Sequence, residues 1–96
     1  MEKKYHVYIM TNPHHTVLYT GITSDIIKRG WQHRKREVEG FTKRYNCTKM
    51  IYVEEYDHPQ EAIDRENQIK GWTRKKKEAL IKRLNPEWKD LYGEFI

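Results

Sequence analysis

Cysteine is nearly missing from this chain. Cys47 stands alone in 96 residues, so no intramolecular disulfide can brace the fold. Long hydrophobic runs are missing too. The apolar run near the start, Val7 to Met10, is too short for the core of a secretion signal and far too short to span a bilayer, which leaves a soluble, cytoplasmic protein with no membrane partner as the expectation. No internal repeat, low-complexity tract or linker composition is present. Neither the phosphate-cradling pattern G-x-x-x-x-G-K nor the dinucleotide pattern G-x-G-x-x-G occurs. There is no C-x-x-C, and no two of the five histidines have the helical spacing of a zinc site. Serine or cysteine nucleophiles therefore have no support.

Aliphatic residues are scarce as well. Hydrophobic residues reach only 36%, but twelve of the 96 residues are Phe, Trp or Tyr, seven of them tyrosine. Large aromatic side chains can supply core area that small aliphatic ones would otherwise provide. The length predicts one domain over residues 1–96, with a core over 4–85 and a tail over 86–96. Such a domain buries only roughly 60–70% of the surface its unfolded chain exposes.

The net charge is +5, and its distribution is uneven. Ser24 to Glu37 holds five basic and two acidic residues, and Lys70 to Arg83 holds seven basic and one acidic. Clustered positive charge is the footprint of a polyanion binder, and equally the composition of a solvated helix face.

Tyr5 to Thr11 reads as a first strand, rich in aromatic and β-branched residues. Asn12-Pro13-His14-His15 is a turn, Thr16 to Thr20 a second strand paired back on the first, and Gly21 its end. Thr23 or Ser24 caps a helix with Asp25 in its first turn. Ile27, Trp31 and Val38 form its apolar stripe, Gly30 marks a close approach to a neighbour, and Gly40 ends it. After the irregular stretch "FTKRYNC", Thr48 to Tyr56 is a third strand. A helix runs from Pro59 to Trp72 or Thr73, and a basic helix with Leu80, Ile81 and Leu84 stops at Asn85-Pro86. The order β-β-α-β-α-α predicts an α+β fold, a small three-stranded, mainly antiparallel sheet flanked by helices. In the tail, the spacing of Trp88, Leu91, Tyr92 and Phe95 predicts packing somewhere.

Three features can carry chemistry. Tyr8 and Tyr19 lie on the two hairpin strands; a phenol can act as a base or orient water when nearby positive charge lowers its pKa, and aromatic residues also simply favour strands. Arg29 and His33 share a helix face at i, i+4, with Arg36 a turn further on; they suit phosphate binding and proton transfer, or an ordinary basic face. Glu66 interrupts the stripe Ala62, Glu66, Ile69, Thr73, which makes it either half of an ion pair or a ligand for a hard divalent cation. Together, a cation, an arginine and a base on a basic surface are what phosphodiester hydrolysis needs.

Those residues resemble the GIY-YIG nuclease family, and in particular its small stand-alone bacterial members. "HVYIM" with Tyr8 is similar to the first motif, and "LYTG" with Tyr19 and Gly21 to the second. "SDIIKRGWQHR" carries the arginine and histidine, "EAIDRENQIK" the metal-binding glutamate, and Asn85 stands where an active-site asparagine often does. The resemblance implies metal-dependent cleavage of DNA rather than RNA, with one Mg²⁺ or Mn²⁺ on Glu66. It further implies that Tyr8 and Tyr19 flank water and phosphate, with Tyr8 the favoured base, that Arg29 binds phosphate, and that His33 assists proton transfer. Gly21 and Asn85 are supporting residues. Lys28, Arg34, Lys35, Arg36, Lys70, Arg74, Lys75, Lys76 and Lys77 are the expected nucleic-acid contacts. The first motif lacks its glycine, the second reads Tyr-Thr-Gly, and Ile22 stands where many members carry a lysine. Larger relatives attach a DNA-targeting domain, so structure rather than sequence selectivity is expected, with a protein partner able to supply targeting. A non-catalytic nucleic-acid-binding module that keeps the fold is the alternative, and an adaptor for an acidic protein a third.

Overall fold

A computed structural model describes residues 3–37 and 40–96. Three strands, β1 (Tyr5–Thr11), β2 (Leu18–Thr23) and β3 (Lys49–Tyr56), form an antiparallel sheet in the order β2-β1-β3. Helices α1 (Ile26–Arg34) and α2 (Phe41–Arg44) lie between β2 and β3, and α3 (Pro59–Lys70) and α4 (Arg74–Leu84) follow. A 3₁₀ turn, Leu91–Phe95, ends the chain. The α+β architecture and the β-β-α-β-α-α order are those read from the sequence, with α2 and the 3₁₀ turn added. Among the described residues, no helix is long and apolar enough to cross a membrane.

The central strand alternates its side chains between two cores, as the two-residue period of a strand requires. Val7 and Ile9 join Ile51, Tyr52, Ala62, Ile69 and Ile81 beneath α3 and α4. Tyr8 and Met10 join Ile26, Cys47 and Met50 on the opposite face. A buried side chain of this size contributes roughly 1.5–3 kcal/mol, so a strand buried on both faces anchors the whole sheet. Burial also pushes the Cys47 thiol up to about 11, which makes it inert.

Local chemistry explains the turns. The Asn12 side chain accepts from the backbone N–H groups of Thr16 (2.9 Å) and Val17 (3.1 Å), and His15 takes a left-handed φ of 57°. Asp25 caps α1 by accepting from Lys28 N at 3.0 Å, one residue after the expected caps Thr23 or Ser24.

Several expectations are corrected. Gly21 does not end β2; it lies inside the strand opposite Tyr8, and β2 runs on to Thr23. The inward face of α1 is Ile26, Gly30 and His33, while Ile27 and Trp31 are about half exposed at 48% and 47%; Val38, the third residue of the expected stripe, lies outside the described residues. The helix stops before Gly40, because Arg36 turns left-handed (φ 59°) and Glu37 N donates to Gln32 O at 2.8 Å, closing a Schellman turn. Arg36 is therefore outside the helix and not a turn beyond His33 on one face. The stretch "FTKRYNC" is not irregular throughout, since α2 forms within it. Helix α3 ends at Lys70, and Thr73 instead caps α4 by accepting from Lys76 N at 3.3 Å.

The tail packs on the domain. Buried Tyr92 lies against Gly30 of α1 and donates to Ile27 O at 2.9 Å, and Asp90 accepts from Met50 N at 3.2 Å.

Candidate active site

The site forms where β1 and β2 pair. Tyr8 is fully buried, and its ring lies across Gly21: a Cβ there would sit 2.5 Å from Cζ and Oη of Tyr8 and 2.9 Å from Cε2 of Tyr19. The glycine thus keeps room for two phenols, and no other residue fits without displacing them. Tyr19, two residues earlier and half-buried, projects on the same face, 6.4 Å from the Tyr8 ring.

Helix α1 brings the imidazole and the guanidinium. His33 is on its buried face because the spacing Ile26, Gly30, His33 follows one side of a helix. Tyr8 Oη and His33 Nε2 are 3.0 Å apart, and the hydrogen bond can run either way because neutral imidazole has one donor and one acceptor. His33 Nδ1 is buried without a hydrogen-bond partner among the described residues. Burial, and then the Arg29 charge, push the His33 pKa down to about 4, so the ring is neutral at pH 7. Tyr8 is driven well above the ordinary phenol value, mainly by burial and then by Tyr19. Arg29 opposes this by charge and by a side-chain hydrogen bond, and Glu66 adds to it. Tyr19, Arg29 and Glu66 therefore all act electrostatically on Tyr8.

Glu66 lies on α3, and its charge adds to the upward push on the Tyr8 pKa. Its side chain is only 13% exposed, and its ion pair is with Lys70 Nζ at 3.3 Å, one helical turn on. Both readings of this carboxylate have a basis: it is ion-paired, and its charge acts on Tyr8. Among the described residues, no three His, Cys, Asp or Glu side chains group together as a metal cage. A lone, half-buried carboxylate suits a cation that keeps most of its waters and shares the rest of its coordination with a phosphate, as Mg²⁺ does. The donor set therefore fits a hard divalent ion and not zinc.

The remaining expected residues separate into groups. Asn85 is buried, but its amide is used up by Ile51 O (3.0 Å), Lys89 O (2.7 Å) and Lys89 N (3.1 Å), so it braces α4 and the tail instead of facing Tyr8. Ile22 lies on the opposite face of β2 from Tyr19 and packs on the Val7–Ile9 core. Of the nine expected basic contacts, Arg34 pairs with Asp90, Lys70 with Glu66, and Lys76 lies 4.4 Å from the Trp72 ring centre. Arg74 clamps the β1–β2 turn by donating to Thr16 O (2.7 Å) and His15 O (2.6 Å). Lys28, Lys35, Arg36 and Lys75 are exposed and Lys77 half-buried. Lys28 and Arg29 line a polar cleft of ≈ 380 Å³ with Lys3, Thr23, Ser24 and Gln32.

Sequence reasoning missed two groups. On α2, Phe41 and Tyr45 extend the aromatic contacts outward from Tyr19, and their i, i+4 spacing after Gly40 is a signal that could have revealed the helix. Beneath α3, the Glu54 carboxylate accepts from Arg65 (2.9 Å), Tyr56 (2.7 Å) and Tyr52. Burial raises the Glu54 pKa, but these three hydrogen bonds outweigh it and hold the carboxyl below its ordinary range. That network fixes α3, and hence Glu66, against β3.

Comparison with known proteins gives the family and the fold. The profile described as the GIY-YIG catalytic domain matches residues 4–79. A UPF0213 protein of Natronomonas pharaonis is 31% identical over 81 residues, covering 84% of this chain and 94% of its own length. One from Staphylococcus aureus is 38% identical over 65 residues, covering 68% of this chain and 79% of its own. The solution structure of a UPF0213 protein from Bacillus halodurans has the same fold, with a TM-score of 0.59 at 23% identity over 91% of this chain and 92% of that one.

Proposed function

The chain belongs to the GIY-YIG family, and on that footing we propose that it is a divalent-metal-dependent endonuclease that hydrolyses phosphodiester bonds in DNA, choosing sites by structure and not by sequence. The observation that carries this reading is the Tyr8–His33 hydrogen bond in the gap kept open by Gly21, with Tyr19 beside it and the charges of Arg29 and Glu66 acting on Tyr8. A domain that needed only to fold has no use for a buried phenol, a neutral imidazole and a partly desolvated carboxylate beside one arginine.

Hydrolysis adds water across a P–O bond: an oxygen attacks phosphorus, its proton goes to a base, and the leaving oxygen departs with the cleaved strand end. Arg29 offers a planar donor fork to the phosphoryl oxygens as charge grows on them. Tyr8 gives its phenol proton to the neutral His33 Nε2 as it takes the proton of the attacking water, and Tyr19 orients that water with its phenol. His33, neutral and in hydrogen-bonding contact with Tyr8, can pass the proton onward. Glu66 would hold the divalent cation, which would supply positive charge to the phosphoryl oxygens. Lys70 pairs with Glu66 and, being half exposed, can swing away.

The test is cleavage of single-stranded, nicked, flapped and branched DNA with Mg²⁺ or Mn²⁺ by wild type, Glu66→Ala and Tyr19→Phe. Cleavage that requires the metal and falls by about 100-fold or more in Glu66→Ala is expected. Cleavage indifferent to both would sink the proposal. One observation favours the alternative, a binding module without turnover: the Tyr8 phenol is driven away from ionisation in the unliganded protein. Salt-sensitive DNA binding with no products, unchanged by Glu66→Ala, is the result that reading expects.

A further inference from the structure

Helix α2 is built inside out. It has four residues, and the one it buries is Thr42; Phe41 at its start and Tyr45, which caps its end, stay 45% and 40% exposed. The helix does not depend on those rings for anchorage. Cys47 N donates to Thr42 O at 2.9 Å, Asn46 takes a left-handed φ of 57°, and Cys47 enters the core. One turn apart, Phe41 and Tyr45 project together, with ring centres 4.7 Å apart.

These rings continue a row that starts in the active site. Tyr19 contacts Tyr8 at 6.4 Å, and Phe41 stacks on Tyr19 at 6.0 Å with only 26° between the ring planes. The row runs from a buried phenol to the surface. Positive charge borders it on both sides. Arg44 lies 5.6 Å from the Tyr45 ring centre, and Lys77 of α4 lines a cleft of ≈ 280 Å³ with Phe41, Thr16 and Leu18. Exposed aromatic faces flanked by cations, and leading away from a phosphate-binding arginine, match the chemistry of an unpaired nucleotide strand: bases stack on rings while the backbone follows the charge. An apolar protein partner would leave that charge without a counterpart.

We propose that Phe41 and Tyr45 form a base-stacking platform that receives the unpaired nucleotides next to the scissile phosphate, so that the preferred substrate is single-stranded DNA or the unpaired arm of a branched one. The proposal rests on the nuclease reading for its orientation, but it can be tested without cleavage. In EDTA, a single-stranded DNA of about 12 nucleotides carrying 2-aminopurine reports stacking directly, because the fluorescence of that base falls when it stacks on an aromatic ring. Wild type quenches the probe. The double variant Phe41→Leu, Tyr45→Leu loses the quench and binds the strand roughly 5- to 100-fold more weakly, with little change on blunt duplex. Phe41→Trp, which restores a stacking face, retains binding and quench, and thermal melting confirms that each variant is folded. An unquenched probe with wild type, unchanged affinity in the double variant, or an equal loss on duplex would overturn the platform. If quench and strand preference hold but no cleavage follows on adding Mg²⁺ or Mn²⁺, the platform stands and the nuclease reading fails.

Discussion

His33 is a histidine kept uncharged by where it sits. Its imidazole is 2% exposed, and burial and the neighbouring Arg29 lower its pKa from 6.5 to about 4. The unfolded chain therefore binds a proton at this residue over a pH range where the folded chain does not. Stability linked to His33 is full above pH 6.5 and is lost as pH falls toward 4. The shift corresponds to about 3 kcal/mol. We expect urea unfolding of wild type to lose about that much more stability between pH 7 and pH 4 than His33→Phe does, since the variant fills the ring's space without titrating. Parallel losses in the two proteins would show that the imidazole is not held neutral. The same neutrality lets His33 accept a proton from Tyr8, so its structural cost and its proposed role have one cause.

Helix α1 is held down by a strap, and the strap explains its glycine. Tyr92 lies flat against Gly30, where a Cβ would overlap Cδ1 and Cε1 of its ring, and the ring is fixed by the Oη bond to Ile27 O. Asp90 joins Arg34, Met50 N and Tyr92 N at the strap's start. Gly30→Ala gains roughly 1 kcal/mol in helix propensity, yet overpacking against a fixed ring costs about 1–3 kcal/mol. A net loss of stability is expected by urea denaturation, shrinking or reversing in a Tyr92→Leu background where the ring is gone. A glycine at this position was legible in the sequence as a close approach; its neighbour, sixty-two residues away, was not. The same division holds elsewhere. The strands and α3 were readable because aromatic, β-branched and capping residues stand where local rules put them, and Glu66 was conspicuous as a carboxylate in the apolar stripe with Ala62 and Ile69. The inner face of α1 was misjudged because its large apolar residues, Ile27 and Trp31, point outward while a glycine and a histidine point in. The end of α1 was hidden because an arginine, not a glycine, takes the left-handed turn. For the site, Tyr8, Tyr19, Arg29, His33 and Glu66 could be picked out one by one, but the saturated amide of Asn85 and the outward rings of α2 depend on tertiary contacts that no spacing encodes.

Across the whole molecule, positive charge is divided between bracing the fold and facing outward. Arg34, Arg65, Arg74 and Lys76 are committed to the tail, Glu54, the hairpin turn and Trp72 respectively. Lys28, Lys35, Arg36, Lys75 and Lys77 enter no ion pair among the described residues. A raw count of basic residues therefore overstates what the surface offers to a polyanion. Arg29 and Arg44, beside the candidate site and its aromatic row, likewise enter no ion pair among the described residues. Each phosphate neutralised on a single strand contributes about −0.7 to the slope of log affinity against log salt, so contacts from these seven cations give a slope of about −4.9. Titrating binding of a single-stranded oligonucleotide in EDTA from low to physiological salt should give a slope between about −2 and −5, with each Lys→Ala change at Lys75 or Lys77 flattening it by about 0.7. Arg74→Ala should act differently. It releases the turn at His15 and Thr16, so its effect belongs mainly to stability, leaving the salt slope of the folded variant near that of wild type. A slope steeper than about −5 would mean that cations beyond these seven meet the strand, and a slope near zero would remove the electrostatic basis for nucleic-acid binding altogether. The outcome separates a surface that is basic by composition from one arranged to follow a phosphate backbone into the gap at Gly21.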